Sequence, residues 1–158
     1  MGIIKNGLYC VSESYFDDFK CEWFCDNKGE NRPYYITFID KDNISWLIPL
    51  STRVDKYKAK ILADEEKYGM CLFYYIGKIM GKENAFLIGD MFPVTDKYIK
   101  KPYTFSGAHY VVQNKITLKE IQKRSARYLT LVKQKKLIPK VDIMGIKEKL
   151  LIDSVIKI

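Results

Sequence analysis

The sequence predicts an α+β fold: a compact, mostly antiparallel sheet that is partly closed like a β-barrel and surrounded by helices. Runs of β-branched and aromatic residues come in pairs separated by short polar turns, a pattern typical of hairpins. Apolar residues at helical spacing lie near both ends of the chain. At 158 residues and 47% hydrophobic composition, the chain can bury one core, so we expect a single domain over 1–158.

The N-terminal part predicts a strand followed by a helix. Residues 7–11 are strand-like, and Ser12 offers a helix N-cap. Residues 13–24 then carry an aromatic face at helical spacing, which we expect to pack inward. Residues 26–31 are a loop by composition.

The central part predicts a hairpin. Residues 34–39 and 44–50 are β-rich, and 41–43 have turn chemistry. The nearly continuous apolar run at 46–50 favours a strand that is buried on both faces. Pro49 predicts that this strand ends or bulges there. The chain then emerges into Ser51, Thr52 and Arg53, where a rigid strand can hold polar groups in fixed geometry.

A second hairpin follows, which brings the expected total to about five strands. Residues 55–68 are helix or loop, 70–79 and 85–88 are strands, and 80–84 form the turn between them. Residues 89–95 are expected to leave the sheet, because Pro93 cannot continue a central strand. Residues 96–115 fit no clear period.

The C-terminal part predicts two helices. Thr117 and Glu120 have capping-box spacing, and a regular apolar face follows them. Lys119, Lys123 and Arg127 lie four residues apart, so they form a cationic ridge. Like charges at that spacing destabilise a helix by about 0.2–0.5 kcal/mol per pair, which favours a bound anion. Residues 141–158 have the spacing of a helix that closes the core.

The positive charge is confined to one block of the chain. The net charge is +8, but residues 1–96 carry 12 basic and 15 acidic residues, and 141–158 are neutral. Residues 97–140 carry 12 basic residues and one acid, with aromatic residues interleaved. Such a block predicts contact with a polyanion, and rings beside cations suit unpaired bases. We therefore expect an RNA-binding region at about 97–140.

Several kinds of site are not indicated by the sequence. Cys21 and Cys25 have no second cysteine pair, and His109 is the only histidine, so we expect reduced thiols, no metal and no cofactor. His109 is interpreted as a packing residue. No phosphate-binding glycine loop or dinucleotide fingerprint occurs. No apolar run has the length of a membrane span or a signal peptide, so we expect a cytoplasmic protein.

Hydroxyls and cations remain as candidate chemistry. Ser51, Thr52, Arg53 and Lys56 lie together in sequence, with Lys58 and Lys60 after them and Tyr34 on the preceding strand. Such a set can cleave RNA without metal, because the 2′-hydroxyl of the substrate is the nucleophile and the protein need only orient the phosphate, stabilise charge and move protons. The same residues are also compatible with an ordinary polar loop after a strand.

A family resemblance favours RNA cleavage over an ordinary polar loop. The strand leading to VSESYF, the WLIPLST strand exit, the IGDMFPV turn and the C-terminal basic helix, in this order, resemble the type III toxin–antitoxin endoribonucleases of the ToxN/AbiQ kind, and most closely the CptN branch. The resemblance covers about residues 7–136. It implies a sheet related to the Kid/MazF toxins and metal-independent RNA cleavage. It also implies inhibition by a structured RNA antitoxin, usually a pseudoknot, which the toxin processes and with which it forms closed complexes.

The resemblance also implies roles for individual residues. The catalytic hydroxyl pair falls on Ser51 and Thr52, with a threonine where the family has its key serine, so either hydroxyl can be the active one. The following catalytic cation is Arg53 or Lys56. The tyrosine after the first strand is Tyr15, and a further cation falls near Arg32. With the basic block, the predicted RNA-binding residues are Arg32, Tyr34, Lys58, Lys60, Lys100, Lys101, Lys115, Lys119, Lys123, Arg124 and Arg127.

Two alternative functions are also compatible with the sequence. The same charge asymmetry is compatible with a non-catalytic RNA-binding module, which would bind with a steep salt dependence and cut nothing. The apolar C-terminal segment is compatible with a protein-interaction domain.

Overall fold

The computed structural model describes residues 2–156, with side chains described to residue 154. Nine strands, four α-helices and two 3₁₀ turns follow one another along this part of the chain. The strands are β1 Leu8–Val11, β2 Tyr34–Ile39, β3 Ser45–Ser51, β4 Tyr74–Ile79, β5 Lys82–Leu87, β6 Phe92–Val94, β7 Ile99–Pro102, β8 Thr104–Phe105 and β9 Ala108–His109. The helices are α1 Glu13–Asp18, α2 Val54–Tyr68, α3 Lys115–Lys133 and α4 Ile143–Ile156, and the 3₁₀ turns are Ile88–Asp90 and Asp96–Tyr98.

One antiparallel sheet contains seven of these strands. Their order is β4-β5-β3-β2-β1-β7, with β6 also paired to β3, and β8 and β9 form a separate hairpin. The predicted α+β class and antiparallel sheet are confirmed. In residues 2–156 the end strands β4 and β7 do not pair with each other, so the predicted partial closure into a barrel is not confirmed.

Strand β3 is the centre of the fold. All seven of its residues are buried, so the prediction of burial on both faces is confirmed. The strand continues through Pro49 to Ser51, so the prediction that it ends or bulges at Pro49 is wrong. Instead its neighbour changes there: Leu47 lies opposite Phe92 of β6, whereas Leu50 lies opposite Phe86 of β5. Proline has no N–H to donate, so it is tolerated at this interruption between two neighbours.

Two expectations for short elements are corrected. Helix α1 ends at Asp18 rather than at residue 24, because the next aromatic residues pack from irregular chain: Phe19 and Phe24 lie 5.0 and 5.8 Å from the Tyr15 ring. Residues 92–94 do not leave the sheet but form β6. Its Pro93 is tolerated because β6 pairs with β3 alone in the described sheet and is thus an edge strand.

Helix α3 begins earlier than expected. Asn114 is its N-cap, and its side chain accepts a hydrogen bond from the N–H of Thr117 at 3.0 Å. The predicted capping box is therefore wrong; Glu120 forms an ion pair with Arg124 one turn later. The predicted apolar face is confirmed by the buried side chains of Ile121, Ser125, Tyr128, Leu129 and Val132.

The helices cover the sheet unequally. Helix α3 packs on β2, β4 and the first 3₁₀ turn, and α4 packs on β6. The last two residues of the predicted C-terminal helix, 157 and 158, lie outside the described part of the chain. Helix α2 contacts β4 and β5 but buries none of its residues. Among the helices of residues 2–156, none has the length and apolar character needed to cross a membrane.

Candidate functional site

The Ser51–Arg53 loop joins the central strand to an exposed helix. Ser51 ends β3 and is buried, whereas Thr52 and Arg53 are exposed and α2 begins at Val54. The Ser51 hydroxyl accepts the N–H of Arg53 at 3.2 Å, and the Thr52 carbonyl accepts the N–H of Val54 at 2.8 Å. These bonds fold the backbone of the loop tightly, so Thr52 lies exposed two residues before the start of α2.

The first turn of α2 offers backbone donors beside this loop, and it also carries the carboxylate of Asp55. Arg53 is the N-cap residue, and its side chain makes no capping hydrogen bond within the described structure. The first N–H groups of a helix lack intrahelical partners and carry partial positive charge, which favours a phosphate oxygen. Ser51, Thr52 and Arg53, predicted as one set, are thus brought together with a helix N-terminus.

Two tyrosines and two lysines lie together beside the start of α2: Lys56, Tyr57 and Lys60 on the helix, and Tyr74 at the start of β4. The rings of Tyr57 and Tyr74 are 4.9 Å apart. The ammonium groups of Lys56 and Lys60 lie 5.3 and 5.7 Å from the Tyr57 ring, and Lys60 is also 5.6 Å from Tyr74. Cations at these distances from ring centroids are attracted by the ring faces, so the two exposed ammonium groups are drawn towards the tyrosine pair beside the loop.

Arg32 supports the loop from inside. It is only 7% exposed, and its guanidinium donates to the carbonyl of Leu50 at 2.9 Å and of Asp26 at 3.0 Å. Its Nε atom has no hydrogen-bond partner in the described structure. The contacts make Arg32 a strut that fixes the backbone one residue before Ser51, and its predicted contact with RNA stays a prediction.

Tyr15 and Tyr34 lie in the core. Tyr15 is fully buried among aromatic rings and donates to the carbonyl of Pro93 at 2.9 Å, and Tyr34 donates to the side chain of Asn27 at 2.9 Å. Burial raises the pKa of both phenols. Their catalytic and RNA-binding roles stay predictions, and the contacts described here are those of packing residues.

The predicted basic residues divide into two groups. Lys101, Lys115, Lys119, Lys123 and Arg127 are exposed, and none of the ion pairs of residues 2–156 includes them. Two other lysines that were predicted to bind RNA form ion pairs within the protein. Lys58 binds Glu83 at 2.9 Å, and Lys100 binds Glu30 at 2.6 Å.

Arg124 also differs from its neighbours on α3. It pairs with Glu120, donates to the carbonyl of Cys71 at 3.2 Å, and lies 5.0 Å over the Tyr75 ring. Arg124 thus fastens α3 to β4, and its contact with RNA stays a prediction. His109 packs against Tyr9 at 4.7 Å and donates to the carbonyl of Leu8 at 2.9 Å.

One group of residues beside the loop was not predicted from the sequence. The thiol of Cys25 donates to the carboxylate of Asp90 at 3.8 Å. Burial raises the pKa of the nearby Tyr57; the charge of Asp90 raises it further, and the charges of Arg32 and Arg53 lower it. These residues come from four separate segments, so no local pattern could have grouped them. All four cysteines are free, and no group of three or more possible metal-ligating side chains occurs in residues 2–156.

Solved structures with the same fold are known. The chain is similar to AbiQ, a lactococcal anti-phage endoribonuclease belonging to the type III toxin–antitoxin system, with a TM-score of 0.64 and 16% identity over 94% of this chain and 97% of that one. It is also similar to a structure from a bacterial antiviral system that a processed non-coding RNA regulates, with a TM-score of 0.63 and 14% identity over 93% and 97% of the two chains. No protein-family model matches the sequence, and no curated protein is significantly similar to it. At these identities the likeness concerns the fold.

Proposed function

We propose that this chain is an endoribonuclease toxin of a type III toxin–antitoxin system. The observation that carries the proposal is the Ser51–Arg53 loop, in which an exposed hydroxyl and an arginine meet the N-terminus of α2. The fold shared with AbiQ along 94% of the chain supports it. The resemblance to the ToxN/AbiQ kind, and to its CptN branch and the Kid/MazF sheet, belongs to the same proposal.

The proposed reaction is an attack by the RNA on its own backbone. The 2′-oxygen forms a bond to phosphorus while the bond from phosphorus to the 5′-oxygen breaks. The 2′-hydroxyl loses its proton to a base, and the leaving oxygen receives one. The products are a 2′,3′-cyclic phosphate and a 5′-hydroxyl, and no metal ion takes part in this scheme.

The protein's part is to bind and stabilise the phosphate. The Thr52 hydroxyl and the N–H groups of the first turn of α2 that follow Val54 donate to its non-bridging oxygens, and Arg53 and Lys56 neutralise the charge that develops there. Ser51 orients the backbone of Arg53 through its hydrogen bond, and Arg32 holds the strand exit. Both are positioning residues in this scheme.

Tyr57 is our candidate proton donor to the leaving oxygen. Both phenols are protonated at neutral pH, but burial raises the pKa of Tyr57 and raises that of its neighbour Tyr74 to about 12, which makes them weaker acids than a free tyrosine. A protonated phenol can act as a general acid.

The exposed basic residues of α3 suit the RNA partner. We propose that Lys115, Lys119, Lys123 and Arg127 contact a structured RNA antitoxin, such as a pseudoknot, which the enzyme also processes and with which it assembles in a closed complex.

A cleavage assay in excess EDTA tests the proposal. Purified protein is incubated with end-labelled RNA, and the new ends are examined for a cyclic phosphate and a 5′-hydroxyl. Cutting is expected with the chelator present, and it should be lost in Thr52→Ala but kept in Ser14→Ala, which removes an exposed hydroxyl from α1. Uncut RNA, or cutting that stops with EDTA, would contradict the proposal.

A non-catalytic RNA-binding module is the second candidate. It is favoured by the exposed lysines of α3, which suit RNA backbone whether or not cleavage follows. It predicts tight, salt-dependent binding, intact RNA and no growth defect on expression. Toxicity that depends on Thr52 would exclude it.

A further inference from the structure

A cavity of about 320 Å³ lies beside the proposed cleavage loop. Its walls come from the segment after α1, the first 3₁₀ turn and the segment before α4, and they are mostly aromatic and aliphatic. Pro49 and Tyr74 also line it, and Tyr74 contacts Tyr57 at 4.9 Å. The cavity therefore shares the wall residue Tyr74 with the ring pair at the start of α2, while Thr52, Arg53 and Lys56 lie outside its lining.

Asp90 places one carboxylate at the rim of this apolar cavity, where the residue as a whole is exposed to solvent. Its partner in the described structure is the thiol of Cys25 at 3.8 Å, a weak donor. Burial raises the pKa of the carboxyl, against the Cys25 bond and the charges of Lys140, Arg32 and Lys60. None of these cations forms an ion pair with it within 4.0 Å in residues 2–156. Asp90 thus keeps most of its acceptor capacity for another group.

The backbone beside Asp90 is firmly held. The N–H of Gly89 donates to the carbonyl of Phe73 at 3.0 Å, and the Tyr128 hydroxyl donates to the carbonyl of Gly89 at 3.0 Å. A side chain at Gly89 would place its Cβ 2.8 Å from the ring of Phe73, so this close approach requires glycine. The backbone that carries the Asp90 side chain is therefore fixed.

The mouth of the cavity carries two exposed apolar side chains and a cation. Trp23 is 52% exposed and Ile138 is 89% exposed. The ammonium of Lys140 lies 4.3 Å over the Trp23 ring. Exposed apolar surface beside a pocket is typical of a binding site, and the aromatic rings of the cavity wall suit a stacked base.

We propose that this cavity binds an unpaired guanine base of the RNA, next to the bond that is cut. The base would lie against the aromatic walls with its Watson–Crick edge towards Asp90. Guanine presents two adjacent N–H donors on that edge, which match the two carboxylate oxygens. Adenine and cytosine present one amino group there, and uracil presents one imino N–H. Lys140 would donate to the guanine carbonyl. The inference names the substrate of the proposed nuclease and so rests on that proposal.

Equilibrium binding of short RNAs with one variable base tests this inference. Uridine oligonucleotides with 2′-fluoro sugars carry guanine, hypoxanthine, adenine or cytosine at the central position; these sugars have no attacking hydroxyl, so cleavage does not compete with binding. We expect guanine to bind at least tenfold more tightly than adenine or cytosine. Hypoxanthine lacks the second donor and should fall between them.

Two variants locate the preference. Asp90→Asn should abolish the preference for guanine, and Asp96→Asn, an exposed acid outside the cavity lining, should keep it. Equal affinities for all four bases, a preference for another base, or a guanine preference that survives Asp90→Asn would overturn the inference. If Asp90→Asn does not fold, the affinities of the unaltered protein for the four oligonucleotides still test the inference.

The binding result is independent of the cleavage result. A protein that prefers guanine and cuts nothing keeps the base site and loses the nuclease proposal. A protein that cuts RNA and shows no base preference in binding keeps the nuclease proposal and loses the base site. A protein that binds none of the oligonucleotides overturns the base site.

Discussion

The two cationic regions of this protein differ in how their charges are held. Around the Ser51–Arg53 loop, Lys56 lies 5.3 Å from the Tyr57 ring, and the buried Arg32 holds the backbone of the strand exit through two carbonyl groups. On the outer face of α3, Lys119, Lys123 and Arg127 are exposed and take part in none of the described ion pairs. Fixed charges suit the chemistry of one phosphate, whereas mobile charges suit attraction of a long polyanion. The comparison predicts that the loop determines the cleavage rate and α3 determines affinity.

The largest effect is expected at Thr52. Thr52→Val keeps the shape of the side chain and removes its hydroxyl, so it should lower the cleavage rate by about 10²–10³-fold, as loss of one transition-state donor does. Affinity for the same RNA should change less than threefold. The two quantities are measured by single-turnover cleavage and filter binding. A loss of affinity with an unchanged rate would reverse the assignment of the two regions.

Arg32→Met should mainly affect stability. The change leaves the carbonyls of Leu50 and Asp26 without their donors, and we expect a loss of about 3 kcal/mol in the free energy of unfolding. Urea denaturation measures it. Lys28→Met, which removes an exposed cation from the same loop, is the matched control and should change stability by less than about 0.5 kcal/mol. An equally stable Arg32→Met protein would show that the strut is not needed.

Reversal of Lys119, Lys123 and Arg127 to glutamate should lower affinity for RNA by at least about tenfold. It should also reduce the slope of log affinity against log salt by about 2, because each phosphate contact to a single strand contributes about 0.7. The rate at saturating RNA should be unchanged. Reversal of Lys5, Lys78 and Lys82 matches the change in net charge at exposed sites outside α3. If this control weakens binding equally, the effect is one of net charge alone.

The smallest effect is expected from the pH dependence of stability at Asp90. Its pKa is raised in the folded protein, so ionisation of this carboxyl opposes folding. Asp90→Asn should therefore match the unaltered protein in acid and become the more stable of the two as pH rises from the ordinary aspartate pKa through the raised one. Melting temperatures of both proteins across this range measure the difference. An advantage confined to acid would contradict the assigned direction.

Local patterns predicted the central hairpin well. Strand β2 and most of β3 follow from continuous β-rich runs, and the polar exit at Ser51 follows from where the apolar run stops. Strand β6 was missed because its pairing with β3 outweighs the effect of Pro93, and β7 to β9 are too short to show a period. The Asp90–Cys25 contact joins residues 65 positions apart, so it depends on the complete fold.

The contrast between β3 and α2 has a consequence for hydrogen exchange. Every residue of β3 is buried and no residue of α2 is, and only Thr52 and Arg53 separate them. Amide protons should therefore exchange slowly up to Ser51 and much faster within α2, because opening one surface helix requires less free energy than unfolding the sheet. The Ser51–Arg53 loop lies at the boundary between these two cooperative units. Transient opening of α2 would then disassemble the phosphate-binding turn while the core stays folded. Molecules in that open form could not bind the phosphate, so the population of the open form limits the fraction of molecules that can cut RNA.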